Sequence, residues 1–339
     1  MKILVTGAAG FIGSHVTRLL LSRGDEVVGI DNLNAYYDPT LKQARLDSIG
    51  TAPGFTFEKM DFSDRQQTDA LAQRHSFDGI VHLGAQAGVR HSLTHPHDYV
   101  DANLVGHLNI LELARHQRVD HMVYASSSSV YGGNTKLPFS VDDRVDHPVS
   151  LYAATKRANE LMSESYAHLY RLPLTGLRFF TVYGPWGRPD MAMWIFAKAM
   201  FAGEPIQLFN HGRMERDFTY VDDIVAGVVA SLDRPPADDE AVKPGGSRAP
   251  HAVHNIGNNR PEKLETLIAL LERETGQRAD IRHADMQPGD VPATYADIEA
   301  FHDVTGFRPQ TSLADGVARF VRWYAAYHGI ELPDQDATP

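Results

Sequence analysis

The chain has 339 residues, 43% of them hydrophobic, enough to bury one substantial core or two smaller ones. A formal net charge of −11 argues against a nucleic-acid or membrane surface, and the absence of cysteine removes disulfides and thiolate chemistry. Met1-Lys2 leads straight into an apolar run with no basic leader, and no stretch of eighteen apolar residues follows, so a soluble, cytoplasmic protein is expected.

The first half alternates short apolar runs with helical patterns. Ile3–Thr6 reads as a buried strand. Phe11, Ile12, Val16, Leu19 and Leu20 then recur at helical spacing, with Gly24 as the stop. Val27–Asp31, Phe55–Met60, Gly79–Leu83, Met122–Ser126 and Leu174–Phe179 read as further strands, most of them separated by helices. That alternation predicts a parallel sheet with right-handed crossovers. Beyond Phe179 the rhythm loosens. Ile206–Phe209 and Val253–Ile256 read as short strands among loops, and the proline- and glycine-rich stretch Arg234–Pro250 reads as a surface loop. The fold class expected is α/β: a doubly wound parallel sheet over residues 1–180, with some later segments returning to it, and a smaller C-terminal α/β domain over 181–330.

Between the first strand and the first helix stands Thr6-Gly7-Ala8-Ala9-Gly10-Phe11-Ile12-Gly13. Glycines there permit a tight turn and let backbone N–H groups approach a pyrophosphate, with the helix N-terminus facing the negative charge. Gly7, Gly10, Phe11, Ile12 and Gly13 are therefore candidate dinucleotide contacts in a Rossmann-type domain. Asp31 ends the second strand, eighteen residues past Gly13. A carboxylate there accepts hydrogen bonds from ribose hydroxyls and repels a 2′-phosphate, which favours NAD over NADP.

Tyr152 and Lys156, in Tyr152-Ala153-Ala154-Thr155-Lys156, fall one turn apart on a helical face. An ammonium beside a phenol stabilises the phenolate, so Lys156 is expected to lower the Tyr152 pKa and prepare a general base. Spacing alone gives such pairs by chance, but this pair follows the fifth strand of a dinucleotide fold. That strand ends in Ser126-Ser127-Ser128-Ser129, at the carboxyl edge of the sheet where ligands collect.

With these residues in view, the chain resembles the extended short-chain dehydrogenase/reductases, in the branch of UDP-glucuronate 4-epimerases, over nearly its whole length. The resemblance rests on TGAAGFIGSH, IDNLNAYYDPTLKQARL, HLGAQAGVRHSL, ASSSSVYGGN, YAATK, LRFFTVYGPWGRPDMA, ERDFTYVDDI and MQPGDV. It implies a catalytic set of Ser127, Tyr152 and Lys156, with Lys156 also holding the nicotinamide ribose. It implies that Asn32, Asn34 and Lys42 surround the adenosine ribose, that Asp61 and Phe62 flank the adenine, and that Leu83, Ala85 and Ala87 line the pyrophosphate and ribose. Ser127, Ser128, Ser129, Thr181 and Arg188 fall at the sugar end, and Arg90 is a further substrate contact. Arg213, Arg216 and Asp290 fall on the UDP side, although Gln287 stands near where some relatives carry arginine. Relatives acting on neutral sugars typically have asparagine in place of Thr181. A homodimer through helices around residues 98–115 and 152–170 is expected by the same resemblance. His91, His95 and His97 cluster without metal-face spacing, so no metal is expected.

The reaction that the resemblance implies is 4-epimerisation of UDP-glucuronic acid through a 4-keto sugar, with transient reduction of tightly bound NAD. A UDP-glucuronate decarboxylase shares that intermediate and stays open as an alternative. A 4,6-dehydratase is disfavoured, because dehydratases place Asp-Glu where Ser128-Ser129 stand. A non-catalytic NAD sensor has no need of the Ser127, Tyr152 and Lys156 set.

Overall fold

The computed structural model describes residues 1–286 and 291–333. Among the described residues twelve strands run in chain order: β1 Lys2–Thr6, β2 Glu26–Asp31, β3 Phe55–Lys59, β4 Gly79–His82, β5 His121–Ser127, β6 Leu174–Phe179, β7 Thr181–Tyr183, β8 Ile206–Phe209, β9 Glu215–Tyr220, β10 His251–Ile256, β11 Pro261–Lys263 and β12 Ile281–Ala284. The helices are α1 Phe11–Ser22, α2 Pro39–Ile49, α3 Arg65–Arg74, α4 Pro96–Tyr99, α5 Gly106–Gln117, α6 Leu151–Tyr170, α7 Ala192–Ala202, α8 Val221–Leu232, α9 Leu264–Thr275, α10 Glu299–Thr305 and α11 Leu313–His328.

Seven strands form one parallel sheet in the order β10-β6-β5-β4-β1-β2-β3. Helices must cover both faces of such a sheet, and β1 has the composition for it. Ile3 and Val5 point into one apolar cluster, and Leu4 into the cluster on the opposite face. The first cluster continues into the C-terminal region through Ile224, Val228, Phe320 and Val321. Helix α8 packs on α1, and β10 adds the seventh strand beside β6. Late segments of the chain thus return to the large sheet. The predicted strands agree with the observed ones to within a residue or two at each end, because buried β-branched runs leave few alternatives.

The C-terminal region builds a three-stranded sheet, β11-β9-β7, and the parallel pair β12-β8. The order of the large sheet reverses direction between β1 and β4. A crevice must open there, outside the carboxyl ends of the strands, because the connections leave in opposite directions.

Candidate active site

A cavity of about 1030 Å³ occupies that crevice and continues toward β7, α7 and β8. It exceeds the usual 300–1,000 Å³ of a single small-molecule site. At one end lie Gly7, Gly10, Phe11, Ile12 and Gly13. Gly7 has φ +70°, and a Cβ on Gly13 would run into the Gly7 carbonyl. Helix α1 begins with no side-chain cap on its first-turn N–H groups, at a point that lines the cavity. Free donors, a close backbone approach and the positive end of a helix fit the pyrophosphate of NAD.

Asp31 closes β2 at the cavity wall and accepts the Leu33 N–H at 2.9 Å. Lys42 on α2 stands 3.9 Å from the Asp31 carboxylate and donates to the Asn34 side-chain oxygen at 2.9 Å. Asn32 donates to Asp61 at 2.9 Å, and the Ser63 N–H and hydroxyl both reach the other Asp61 oxygen. Burial pushes the Asp61 carboxyl up, but these hydrogen bonds outweigh it and hold the group below its usual range. Phe62, Leu83, Ala85 and Ala87 complete this end. The ribose and adenine segments are thus fastened to one another by short local bonds, and the Asp31 carboxylate, an acceptor, suits an unphosphorylated ribose.

The centre of the cavity is set by α6. Ser150 caps that helix by accepting the Ala153 N–H at 3.1 Å, and Tyr152 and Lys156 follow one turn apart on the cavity side. Ser127 lies close enough to the Tyr152 phenol to favour its ionised form, and it accepts the Ser129 N–H at 3.1 Å. A buried ion pair supports this serine strand from behind. Glu160, the next turn of α6, accepts Ser126 Oγ at 2.6 Å and both Nε and Nη2 of Arg178, at 2.8 and 3.0 Å. Burial raises the Glu160 carboxyl, and Arg178, Ser126 and Arg157 more than offset it.

The expected lowering of the Tyr152 pKa by Lys156 is not what the structure has. Burial dominates and raises the Tyr152 phenol above its ordinary value, opposed by the nearby Ser127 hydroxyl and the charge of Arg188. Lys156 donates to the Ala125 carbonyl at 3.0 Å, and burial lowers its own pKa to about 8. Desolvation disfavours both charged forms at once, so neither group activates the other strongly without further positive charge in the cavity.

Arg90, Ser128, Ser129, Thr181, Arg188 and Arg216 line the same cavity. The Arg90 guanidinium lies over the Phe209 ring, 4.8 Å from its centroid. Arg188 makes a bidentate pair with Asp190, Nε and Nη2 each at 2.9 Å, and Tyr36 donates to the same carboxylate at 3.0 Å. Burial would lower the Arg188 pKa, but Asp190 outweighs it and the guanidinium stays charged. Arg213 is exposed and does not line the cavity, whereas Arg216 does. Asp290 lies outside the described residues. Asp190 and Tyr36 had no role in the sequence reading. The Arg-Pro-Asp order at 188–190 was the available signal for Asp190, and nothing local pairs Tyr36 with a residue 154 positions away. Among the described residues no group of histidines and carboxylates is arranged to hold a metal, and no helix is long and apolar enough to cross a membrane.

A family model described as the NAD dependent epimerase/dehydratase family matches residues 3–244. The uncharacterized 37.6 kDa protein of the cld 5′ region of Escherichia coli O111:H- is 54% identical, over 97% of this chain and 100% of its own length. The probable UDP-glucuronate 4-epimerase of Rhizobium meliloti is 47% identical, over 96% of this chain and 97% of its own. A crystal structure of the UDP-glucuronic acid 4-epimerase of Bacillus cereus, in complex with UDP-glucuronic acid and NAD, superposes with a TM-score of 0.84 at 33% identity, covering 96% of this chain and 100% of that one.

Proposed function

Because this chain belongs to the NAD dependent epimerase/dehydratase family, we propose that it inverts C4 of UDP-glucuronic acid to give UDP-galacturonic acid. The observation that carries the reading is a single cavity that Tyr152 and Lys156 share with the glycine-rich loop and with Ser127, Ser128, Ser129, Thr181 and Arg188, in which Ser127 and Arg188 both favour the Tyr152 phenolate. Bound NAD supplies a hydride acceptor for C4, a donor for its return, and a positive ring that offsets the desolvation of Tyr152.

In this arrangement Tyr152 takes the proton of the 4-hydroxyl and later returns it. Ser127 hydrogen-bonds the sugar O4 and holds it for that transfer. Lys156 holds the nicotinamide ribose and keeps a positive charge near the phenolate. Arg216 and Arg90 grip the diphosphate side, so the sugar can turn over while the nucleotide stays. The 4-ketone beside a C5 carboxylate is a β-keto acid, which loses carbon dioxide when the C5–carboxylate bond aligns with the carbonyl π system. Ser128, Ser129, Thr181 and Arg188 restrain the carboxylate near the carbonyl plane.

The test is incubation of the purified protein with UDP-glucuronate, products resolved by NMR. UDP-galacturonate without net consumption of added NAD is expected. Stoichiometric carbon dioxide and UDP-pentose would assign the protein as a decarboxylase instead.

The dimer is part of the same proposal. Val105 and Leu108 on and beside α5, and Leu161 and Leu169 on α6, are exposed apolar side chains on two adjacent helices. A second copy of the chain, related by a two-fold axis, covers such a stripe with its own. Light scattering should give twice the chain mass, and Leu161→Lys should shift it toward the monomer.

A further inference from the structure

Arg45 on α2 is wholly buried. All five of its N–H donors go to neutral acceptors. Nε donates to Trp186 O at 3.1 Å, and Nη2 to Trp186 O at 2.8 Å and Gly187 O at 3.1 Å. Nη1 donates to Ala9 O at 3.2 Å and to the Tyr37 hydroxyl at 2.6 Å. A buried guanidinium is costly unless every donor is satisfied, and this one is satisfied by three separate stretches of chain. Ala9 belongs to the glycine-rich loop. Trp186 and Gly187 directly precede Arg188. Trp186 also has φ +62°, a left-handed conformation that a bulky residue holds only when its surroundings impose it. Arg45 fastens its carbonyl from one side, while Trp323 and Tyr327 of α11 pack its ring from the other, at centroid distances of 5.1 and 5.5 Å.

We propose that Arg45 is a positioning residue that ties the dinucleotide loop to the loop carrying Arg188, so that the two ends of the cavity keep one geometry while the sugar turns between them. It touches neither ligand. It acts through the Trp186–Gly187 backbone on the direction of Arg188, and this consequence rests on the functional reading above. Lysine is the discriminating replacement. It keeps the charge but presents three donors from one point and cannot span acceptors set around a planar fork.

The experiment compares the unmodified protein with Arg45→Lys, Arg188→Ala and the double variant, all loaded with NAD. Hydrogen exchange reads the coupling without any turnover. Amides of 184–191 and of 7–13 should both exchange at least tenfold faster in Arg45→Lys, while those of β5 and α6 stay protected. Exchange that rises only near residue 45, or evenly across the chain, overturns the proposal. Turnover of UDP-glucuronate gives the second arm. Arg45→Lys should lower kcat more than it raises KM and shift the ratio of UDP-galacturonate to carbon dioxide in the direction that Arg188→Ala does. The double variant should match Arg188→Ala within about twofold, because residues acting in series are not additive. Additive losses overturn the proposal. Should Arg45→Lys fail to fold, Tyr37→Phe removes a single acceptor. It should raise exchange in 184–191 more weakly, and unchanged exchange there overturns the proposal. An unmodified protein inert toward UDP-glucuronate refutes the functional reading, while the exchange arm still decides the coupling.

Discussion

The two ends of the cavity are built differently. At the NAD end the groups that face the ligand are mostly backbone: the loop Gly7–Gly13, the first turn of α1 and the ends of β1, β2 and β4. The few side chains there, Asp31, Asn32, Lys42 and Asp61, are bonded to each other or to nearby backbone within 29 residues of sequence. At the proposed UDP-sugar end long side chains come from separate stretches: Arg188 braced by Asp190 and Tyr36, Arg90 on Phe209, Arg216 on β9. A backbone cradle holds a cofactor rigidly through every cycle. Side chains on braces tolerate a sugar that must be held, let go and held again. Breaking one group at a time should therefore cost different things at the two ends.

The largest effect is expected between them. Tyr152→Phe removes the group that exchanges the 4-hydroxyl proton and leaves a ring of the same shape in place. Turnover of UDP-glucuronate should fall on the order of a hundredfold or more, with melting temperature and NAD content unchanged. A variant that keeps near-normal turnover at neutral pH would remove Tyr152 from the mechanism.

Asp31→Ala comes next and belongs to the NAD end. Charged hydrogen bonds contribute about 1.5–3 kcal/mol each, so NAD affinity should weaken by roughly ten- to a hundredfold. It should also narrow the preference over NADP, since the repulsion of a 2′-phosphate goes with the carboxylate. Calorimetric titration of stripped protein measures both. Equal affinities of the unmodified protein for NAD and NADP would refute the role assigned to Asp31.

Arg188→Ala probes the sugar end, and the structure complicates it. Removing the guanidinium deletes a donor and also leaves the Asp190 carboxylate uncompensated, facing an anionic sugar and raising Tyr152 further. A shift of about 1.4 kcal/mol between the barriers for return and decarboxylation changes the product ratio tenfold. The share of carbon dioxide should rise, and epimerisation should slow. Adding Asp190→Ala separates the two contributions. Recovery of rate without recovery of the product ratio means that Asp190 repulsion slowed the reaction while Arg188 contact held the carboxylate.

What could be read from the sequence divides along the same line. The strands of the large sheet, the glycine turn and the Tyr152–Lys156 pair are short-range patterns, and periodicity fixes them before any tertiary contact forms. NAD as cofactor was legible in the same way, since glycine spacing and a strand-end acid report directly on dinucleotide chemistry, whereas the epimerase family was legible only from the resemblance of longer segments such as LRFFTVYGPWGRPDMA. The sugar end depends on contacts across 141 to 154 residues, Arg45 with Trp186 and Tyr36 with Asp190. No local pattern encodes those. The error about Tyr152 has the same origin. Helical spacing placed Lys156 correctly beside it on α6, but it could not report that Lys156 would donate to Ala125, nor that burial would outweigh charge. Arg213 and Arg216 show the limit at short range, for three residues of chain separate an exposed side chain from one at the cavity wall.

Thr181→Val should have the smallest effect and the sharpest meaning. Thr181 opens β7 and lines the same cavity as Tyr152 and Arg188. The replacement is close in shape and removes only a hydroxyl. A neutral hydrogen bond contributes about 0.5–1.5 kcal/mol, which sets an expected loss of roughly two- to tenfold in kcat/KM for UDP-glucuronate. If the hydroxyl serves the C5 carboxylate, a substrate without that carboxylate has nothing to lose, so any residual turnover of UDP-glucose should not fall. The measurement is the ratio of the two kcat/KM values in the original and the Thr181→Val protein. Equal losses with both substrates would mean that Thr181 shapes the wall without reading the carboxylate. The restraint of the carboxylate would then rest on Arg188 and the two serines, and the sugar end would have one fewer adjustable donor than its geometry suggests.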